Sequence, residues 1–399
     1  VKVEQPASYE EAADLLRAAA EDGRRMRFRG GGTKLGWGRP VPEPDLELCT
    51  GALDSVLEHN AGDFTAVLQA GVPLAVAQEA LASAGQMLAL DPPLSPWGGA
   101  GDDAAVEAAA GGATIGGIVA SNDSGPLRHR YGGVRDLVVG VTVVLSDGTI
   151  AKAGGKVIKN VAGYDLGKLY AGAFGTLGLI AEVTVRLHPR PARVATVVAR
   201  SEDPALLAAG SSALAHAPLE ADCLDLWWDA SSGAGGSGAV LARFGSADPG
   251  PRVEEAAALL RKVGGLAVDI ETDDESCWEA QRAAQRSDVV VKVSALPTAF
   301  PAVMAAVGGL GGTLVARAGL GLAWVQLPVG EPGKVAEAVE DLRRRLAPAP
   351  CVVLDAPAEV RGMLDPWGGE TGPVELMRKV KERFDPAGVC APGLFVGGI

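Results

Sequence analysis

The sequence predicts an α+β protein of two domains, on three observations. Apolar runs with strand periodicity alternate with helical stretches through the first half of the chain. His188-Pro189-Arg190-Pro191 then interrupts it, because two prolines one residue apart disfavour any regular element across them. At 399 residues the chain also exceeds what one ordinary core holds. The expected divisions are residues 1–190, 191–346 and a C-terminal segment, 347–399, that returns toward the first domain.

Taken in order, residues 8–23 form a capped amphipathic helix, with Ser8 as N-cap, Glu11 as capping-box partner and Gly23 as terminator. Met26 to Arg29 is a short strand feeding a glycine cluster. Thr65 to Ala70 is extended, Leu74 to Ala84 helical, and Gly85 stops the helix. The β-branched run Leu137 to Leu145 meets Ser146-Asp147-Gly148-Thr149, a hairpin turn into Ile150 to Ala153. Ile180 to Leu187 alternates and closes the first half. Beyond the prolines, strands at 194–199, 223–228, 239–244, 289–294, 312–316 and 322–327 alternate with helices at 204–215, 252–263, 301–307 and 333–346. That order predicts a ferredoxin-like antiparallel sheet covered by helices.

Composition excludes several functions. With 36 basic and 49 acidic residues the net charge is -13, which repels nucleic acid and anionic membrane. Ala299 to Ala316 carries no charge over eighteen residues, but Pro301 and four glycines interrupt it, so no transmembrane span is expected. The five cysteines are scattered without a CxxC pair, which argues against a disulfide framework, zinc or an iron-sulfur cluster; no metal site is expected. The start, Val1-Lys2-Val3-Glu4-Gln5-Pro6, lacks a signal-peptide pattern. A cytoplasmic location is expected, with a partner subunit as the route to any membrane.

Standard nucleotide signatures fail. Gly233-Ala234-Gly235-Gly236-Ser237-Gly238 fits GxGxxG but precedes a strand, so it reads as a flexible loop. Gly163 to Lys168 has the wrong Walker A spacing and is followed by Leu169. Arg29-Gly30-Gly31-Gly32-Thr33-Lys34 is different, because consecutive glycines after a strand let backbone N–H groups converge on an anion such as a pyrophosphate. A plain glycine turn fits that stretch equally well on its own. A second cluster, Gly111 to Gly125, has small residues at 116, 117, 120, 121 and 125 that leave room for a flat group or for close helix packing. Its pairing with the first cluster and with Lys159-Asn160-Val161-Ala162-Gly163-Tyr164-Asp165 favours the first alternative.

Four motifs in order, RGGGTK, TIGGIVASNDSG with RHRYGGVRDLVVGV, KNVAGYDLGKL, and FGTLGLIAEVTVRLHP, resemble the FAD-binding domain of the vanillyl-alcohol oxidase and p-cresol methylhydroxylase (PCMH) type. Within that family, KNVAGYD, GTLG and the terminal Phe384 to Val389, Pro392-Gly393 and Val396 to Ile399 are similar to the E-subunit type of bacterial glycolate oxidases. The resemblance implies a two-subdomain FAD-binding domain over 1–190 and a ferredoxin-like cap. It places Arg29 and Gly30, Gly31, Gly32, Thr33 and Lys34 on the pyrophosphate, and Thr114, Gly116, Gly117, Ser121, Asn122 and Gly125 along the diphosphate and ribityl chain. Gly132 and Val183 would approach from the other side, Val183 by backbone contact to adenine. Thr33 stands in the first loop, where relatives attach flavin through His, and Cys is absent between Thr50 and Asp222, which implies non-covalent FAD.

Lys156 and Lys159 could neutralise anionic reduced flavin, or form an exposed basic turn. Oxidising a small 2-hydroxyacid, glycolate or D-lactate, needs a cation for the carboxylate and a base for the hydroxyl proton. Arg130 and Lys292 are the candidate cations; relatives often carry Arg where Lys292 stands. His129 alone among four histidines falls in a flavin motif, as a base or as a surface residue. The histidine and glutamate set of metal-assisted relatives is missing between Pro191 and Ile399. This leaves open a non-catalytic FAD-binding assembly or electron-transfer subunit, with a catalytic flavoprotein subunit and an iron-sulfur subunit as partners. Ala391 and Leu394 depart from the family, which has Asn and a basic residue there.

Overall fold

The computed structural model describes residues 1–94, 112–156, 164–232, 236–369 and 372–399. β1 (Lys2–Glu4), β2 (Met26–Arg29) and β3 (Leu46–Cys49) make a small parallel sheet in the order β1-β3-β2. The helix Tyr9–Glu21 lies on it, burying Ala12, Leu16 and Ala19 against Met26, Leu46 and Leu48. Ser8 caps that helix by accepting the Glu11 N–H at 3.1 Å, while the Glu11 carboxylate reaches one residue past the cap, to the Ala7 N–H at 2.8 Å.

A second subdomain is built on a five-stranded antiparallel sheet of β4 (Val56–Asn60), β5 (Thr65–Gln69), β7 (Val138–Val144), β8 (Ile150–Gly154) and β9 (Leu179–Arg186), ordered β4-β5-β9-β7-β8. The helices Leu74–Ala82 and Ile115–Ser121 share its core through Leu74, Leu81, Ile115 and Ile118. Val144, Leu179 and Ala181 belong instead to the core of the first sheet and so join the two subdomains. The linker is pinned as well, since β10 (His188–Pro189) pairs with β6 (Gln86–Met87).

The remaining strands, β11 (Arg193–Ser201), β12 (Cys223–Asp229), β13 (Ser237–Ser246), β14 (Ala267–Glu271), β15 (Val290–Ser294), β16 (Thr313–Arg317), β17 (Leu322–Gln326) and β18 (Cys351–Asp355), form one antiparallel sheet in the order β14-β11-β13-β12-β16-β17-β15-β18. It consists of two ferredoxin-like βαββαβ units joined at β12 and β16, where the sequence predicted one such sheet. The order within each unit is the same, mirrored across that junction. β14 and β18 were absent from the prediction: each is an edge strand, and β14 buries no residue fully, so it shows no apolar period. β18 carries the cap sheet past residue 346 to Asp355.

Strand alternation gives this sheet two different faces. Leu224, Leu226, Val240, Val291, Ala316 and Val325 face the helices Pro204–His216, Gly250–Val263, Phe300–Gly308 and Pro332–Leu346. Their neighbours Asp225, Lys292, Arg317 and Trp324 face the opposite way, on the side where the cap meets the first domain. After β18 the tail returns to the first domain. Lys381 donates to the carbonyls of Thr176 (2.7 Å) and Cys390 (2.6 Å), and Phe384 packs edge-on against Tyr170.

Candidate flavin site and its cap

The glycine loop is shaped by its neighbours. Arg27 and Arg29 on β2 both pair with the buried Glu47 of β3, Arg29 at 2.5 Å, so they fix the strand that delivers the loop. A side chain on Gly30 would collide with Thr114, and one on Gly31 with the Gly112 carbonyl; Gly32 has φ +72. The loop therefore lies directly against the second motif. Lys34 pairs with Asp123 at 3.0 Å, both nearly inaccessible, and donates to the Pro93 carbonyl at 3.2 Å.

Thr114 caps the helix Ile115–Ser121 by accepting the Gly117 N–H at 3.3 Å, and Ser121 donates to the Gly117 carbonyl at 2.8 Å. Asn122 ends the helix at φ +51. Gly30 to Lys34, Thr114, Gly117 and Ser121 line one cleft of about 390 Å³, together with Arg39, Phe174, Pro392, Leu394 and, from the cap side, Arg361. Arg39 and Arg361 have no carboxylate partner among the described residues. A slot walled by two glycine-rich backbones and lined by Arg39 and Arg361 fits a dinucleotide diphosphate.

Other predicted residues lie elsewhere. Gly116 packs on Ala70, Gly125 on Asp91, and Gly132, at φ +79, beside Asp136. Val183 is fully buried within β9. Lys156 is mostly exposed and pairs with Glu58 at 2.5 Å. Lys159, most of KNVAGYD, Gly111 and part of the Gly233 to Gly238 loop lie outside the described residues. Of the two tail departures, Ala391 takes φ +44, and Leu394 contributes its carbonyl, which accepts from Arg39 N–H (2.9 Å) and the Trp367 indole (3.1 Å).

On the cap side, Lys292 stands over the Trp324 ring at 5.5 Å. Desolvation pulls its pKa down to about 8; Asp123 opposes this, while Arg128 and Arg317 reinforce it. Arg130 is tied across the domain boundary, to the Glu220 carbonyl at 2.7 Å, the Glu220 carboxylate at 3.1 Å and Asp222 at 3.4 Å. His129 packs against Gly319 of the cap, with Nδ1 buried and unpartnered, and burial beside Arg130 lowers its pKa. The sequence reading missed Arg286, Asp355, Arg361, Asp91 and Arg317. Arg317, the charge ending an apolar run, carried the one visible signal. Among the described residues no group of three or more His, Cys, Asp or Glu is arranged to hold a metal.

Comparison with known proteins agrees with this geometry. Residues 2–154 match the FAD binding domain family. This is a PCMH-type FAD-binding domain. Its cofactor is FAD. The glycolate oxidase subunit GlcE of Escherichia coli is 34% identical over 45% of this chain and 46% of that protein. The glycolate oxidase subunit GlcD of Bacillus subtilis is 33% identical over 50% of this chain and 39% of its own length. The matched stretch thus spans less than half of either relative. An FAD-linked oxidoreductase of Mycobacterium tuberculosis is 28% identical over 98% of this chain and 90% of that protein. Among solved structures, alkyldihydroxyacetonephosphate synthase superposes with TM-score 0.70 at 16% identity, over 98% of this chain and 75% of the other, and so shares the fold. No helix among the described residues is long and apolar enough to cross a membrane.

Proposed function

We propose that the chain is the FAD-binding subunit of a flavin-dependent 2-hydroxyacid oxidase or dehydrogenase acting on glycolate or D-lactate. The observation carrying this reading is the single cleft shared by Gly30 to Lys34 and Thr114 to Ser121, with Lys292 on the cap face and His129 of the first domain, packed on Gly319, at the domain boundary. Bound FAD supplies a two-electron acceptor for the α-hydrogen of a hydroxyacid. The glycine loop, Lys34, Arg39 and Arg361 hold its diphosphate without a covalent bond. Lys292, with no carboxylate partner among the described residues, orients the substrate carboxylate. His129, whose lowered pKa keeps the imidazole neutral near pH 7, accepts the hydroxyl proton. Arg130, already engaged with Glu220 and Asp222, holds the two domains together.

Similarity to the glycolate oxidase subunits GlcE and GlcD supports a second reading, an FAD-binding assembly or electron-transfer subunit. In it a catalytic flavoprotein subunit oxidises the substrate and an iron-sulfur subunit carries electrons onward, as suits a relative of GlcE and GlcD. Anaerobic addition of glycolate or D-lactate to the FAD-loaded chain tests both. Bleaching of the flavin absorbance by the chain alone supports the first; bleaching only with partner subunits supports the second.

A further inference from the structure

The segment following the glycine loop is held from outside its own domain. Arg286, only 7% exposed, donates through Nη1 and Nη2 to the Thr33 carbonyl at 3.2 Å each. The same guanidinium pairs with Asp355 through Nε at 2.8 Å and Nη2 at 3.2 Å. Asp355 in turn accepts the Trp37 indole N–H at 3.0 Å, and Arg361 donates to the Gly36 carbonyl at 2.5 Å. The Trp37 ring has Lys34 at 5.8 Å and Arg286 at 5.7 Å from its centroid. Arg286 follows the helix Glu275–Ala283, while Asp355 ends β18, so three cap residues grip one five-residue stretch of the flavin domain.

We infer that Arg286 and Asp355 are positioning residues that set the conformation of the FAD-binding loop, so that FAD affinity and docking of the cap on the flavin domain are thermodynamically coupled. The inference rests on the proposed location of FAD at this loop. A planar guanidinium can satisfy Thr33 and Asp355 at once, whereas an ammonium presents no fork. Thr33 adjoins Gly32 and Lys34, so releasing its carbonyl frees the segment between the glycines and the Lys34–Asp123 pair. Because coupling is reciprocal, FAD must also tighten the contact between cap and loop.

The test is FAD titration of the apo full-length chain, read by quenching of flavin fluorescence, for wild type, Arg286→Met, Arg286→Lys and Arg282→Gln. Arg282 serves as control, since it pairs with Glu275 and has no bond to the loop. Losing charge-assisted bonds of this kind should weaken FAD binding about tenfold or more in Arg286→Met and less in Arg286→Lys, with Arg282→Gln unchanged. Hydrogen exchange supplies a second readout: in wild type FAD should slow exchange of residues 33–37 and of β18, and in Arg286→Met that protection of β18 should vanish. Wild-type affinity in Arg286→Met, with loop and β18 still protected together, overturns the coupling while leaving the FAD site intact. Failure of wild type to take up FAD overturns the site itself, and the coupling with it.

Discussion

Arg317 and Asp225 form an ion pair 2.6 Å apart with neither side chain accessible to solvent, at the junction where the two ferredoxin-like units meet through β12 and β16. Arg317 also reaches Gln285, whose amide donates to the Ser124 carbonyl of the flavin domain at 2.9 Å. The pair thus links the two halves of the cap to the flavin domain. Desolvation pushes Asp225 up to about 6 even with Arg317 beside it. Removing one partner leaves a buried charge alone, so Arg317→Met should destabilise by about 3–5 kcal/mol, while Arg317→Met with Asp225→Leu should recover most of that loss. Denaturation midpoints of the two variants decide the matter.

Lys292 gives a prediction about catalysis. If it orients the substrate carboxylate, Lys292→Met should lower the kcat/KM for flavin reduction about 30- to 100-fold, and Lys292→Arg should retain most activity. With a pKa of about 8, the ammonium discharges as pH rises through that value, so KM should climb above pH 8 in wild type but not in Lys292→Arg. Stopped-flow reduction across pH 6 to 9.5 reads both effects.

Arg130 should behave as a clamp. It is one-third exposed, and its partner Asp222 is nearly buried, so Arg130→Gln should cost about 1–2 kcal/mol of stability. Rapid-reaction traces with substrate should leave the rate of flavin reduction within about twofold of wild type. A hundredfold drop at unchanged FAD occupancy would return Arg130 to the catalytic group.

Asp91 carries a pH signature. Burial pushes it up to about 7 in the folded chain, against 3.8 for the free side chain, with Arg317 and the Leu127 N–H opposing the shift. A raised folded pKa means that the folded state holds a proton which the unfolded state has released. Its contribution is complete below about pH 4 and is lost as pH rises through about 7. Asp91→Asn should therefore flatten the fall in the denaturation midpoint between pH 5 and pH 8. An equally steep fall in the variant would assign the effect to another group.

Much of this geometry was legible in the sequence, at particular residues. Gly30 to Lys34 and Thr114 to Ser121 announced themselves because close backbone approach excludes side chains, and the structure shows what would occupy that space, Thr114 and the Gly112 carbonyl. The capped first helix was readable from Ser8 and Glu11 because capping is local. Arg286 and Asp355 were not readable, since their meaning comes from contact with Thr33 and Trp37, some 250 and 320 positions away in the chain. Gly116 and Gly125 lie against Ala70 and Asp91, contacts that the sequence does not specify, because a small residue signals proximity without saying to what. The division of the cap into two ferredoxin-like units was obscured because the last strand of each, β14 and β18, is an edge strand that follows a long helix.

Binding of FAD to wild type and Gly31→Ala tests most directly whether the two glycine motifs jointly hold FAD. A methyl group at residue 31 must meet the Gly112 carbonyl and force the motifs apart, while its solvent-facing counterpart Gly36→Ala has open space. Wild type and Gly36→Ala should take up one FAD per chain, releasable intact by acid, and Gly31→Ala should bind at least about tenfold more weakly with its fold retained. Equal uptake by folded Gly31→Ala, or none by wild type, would contradict the account.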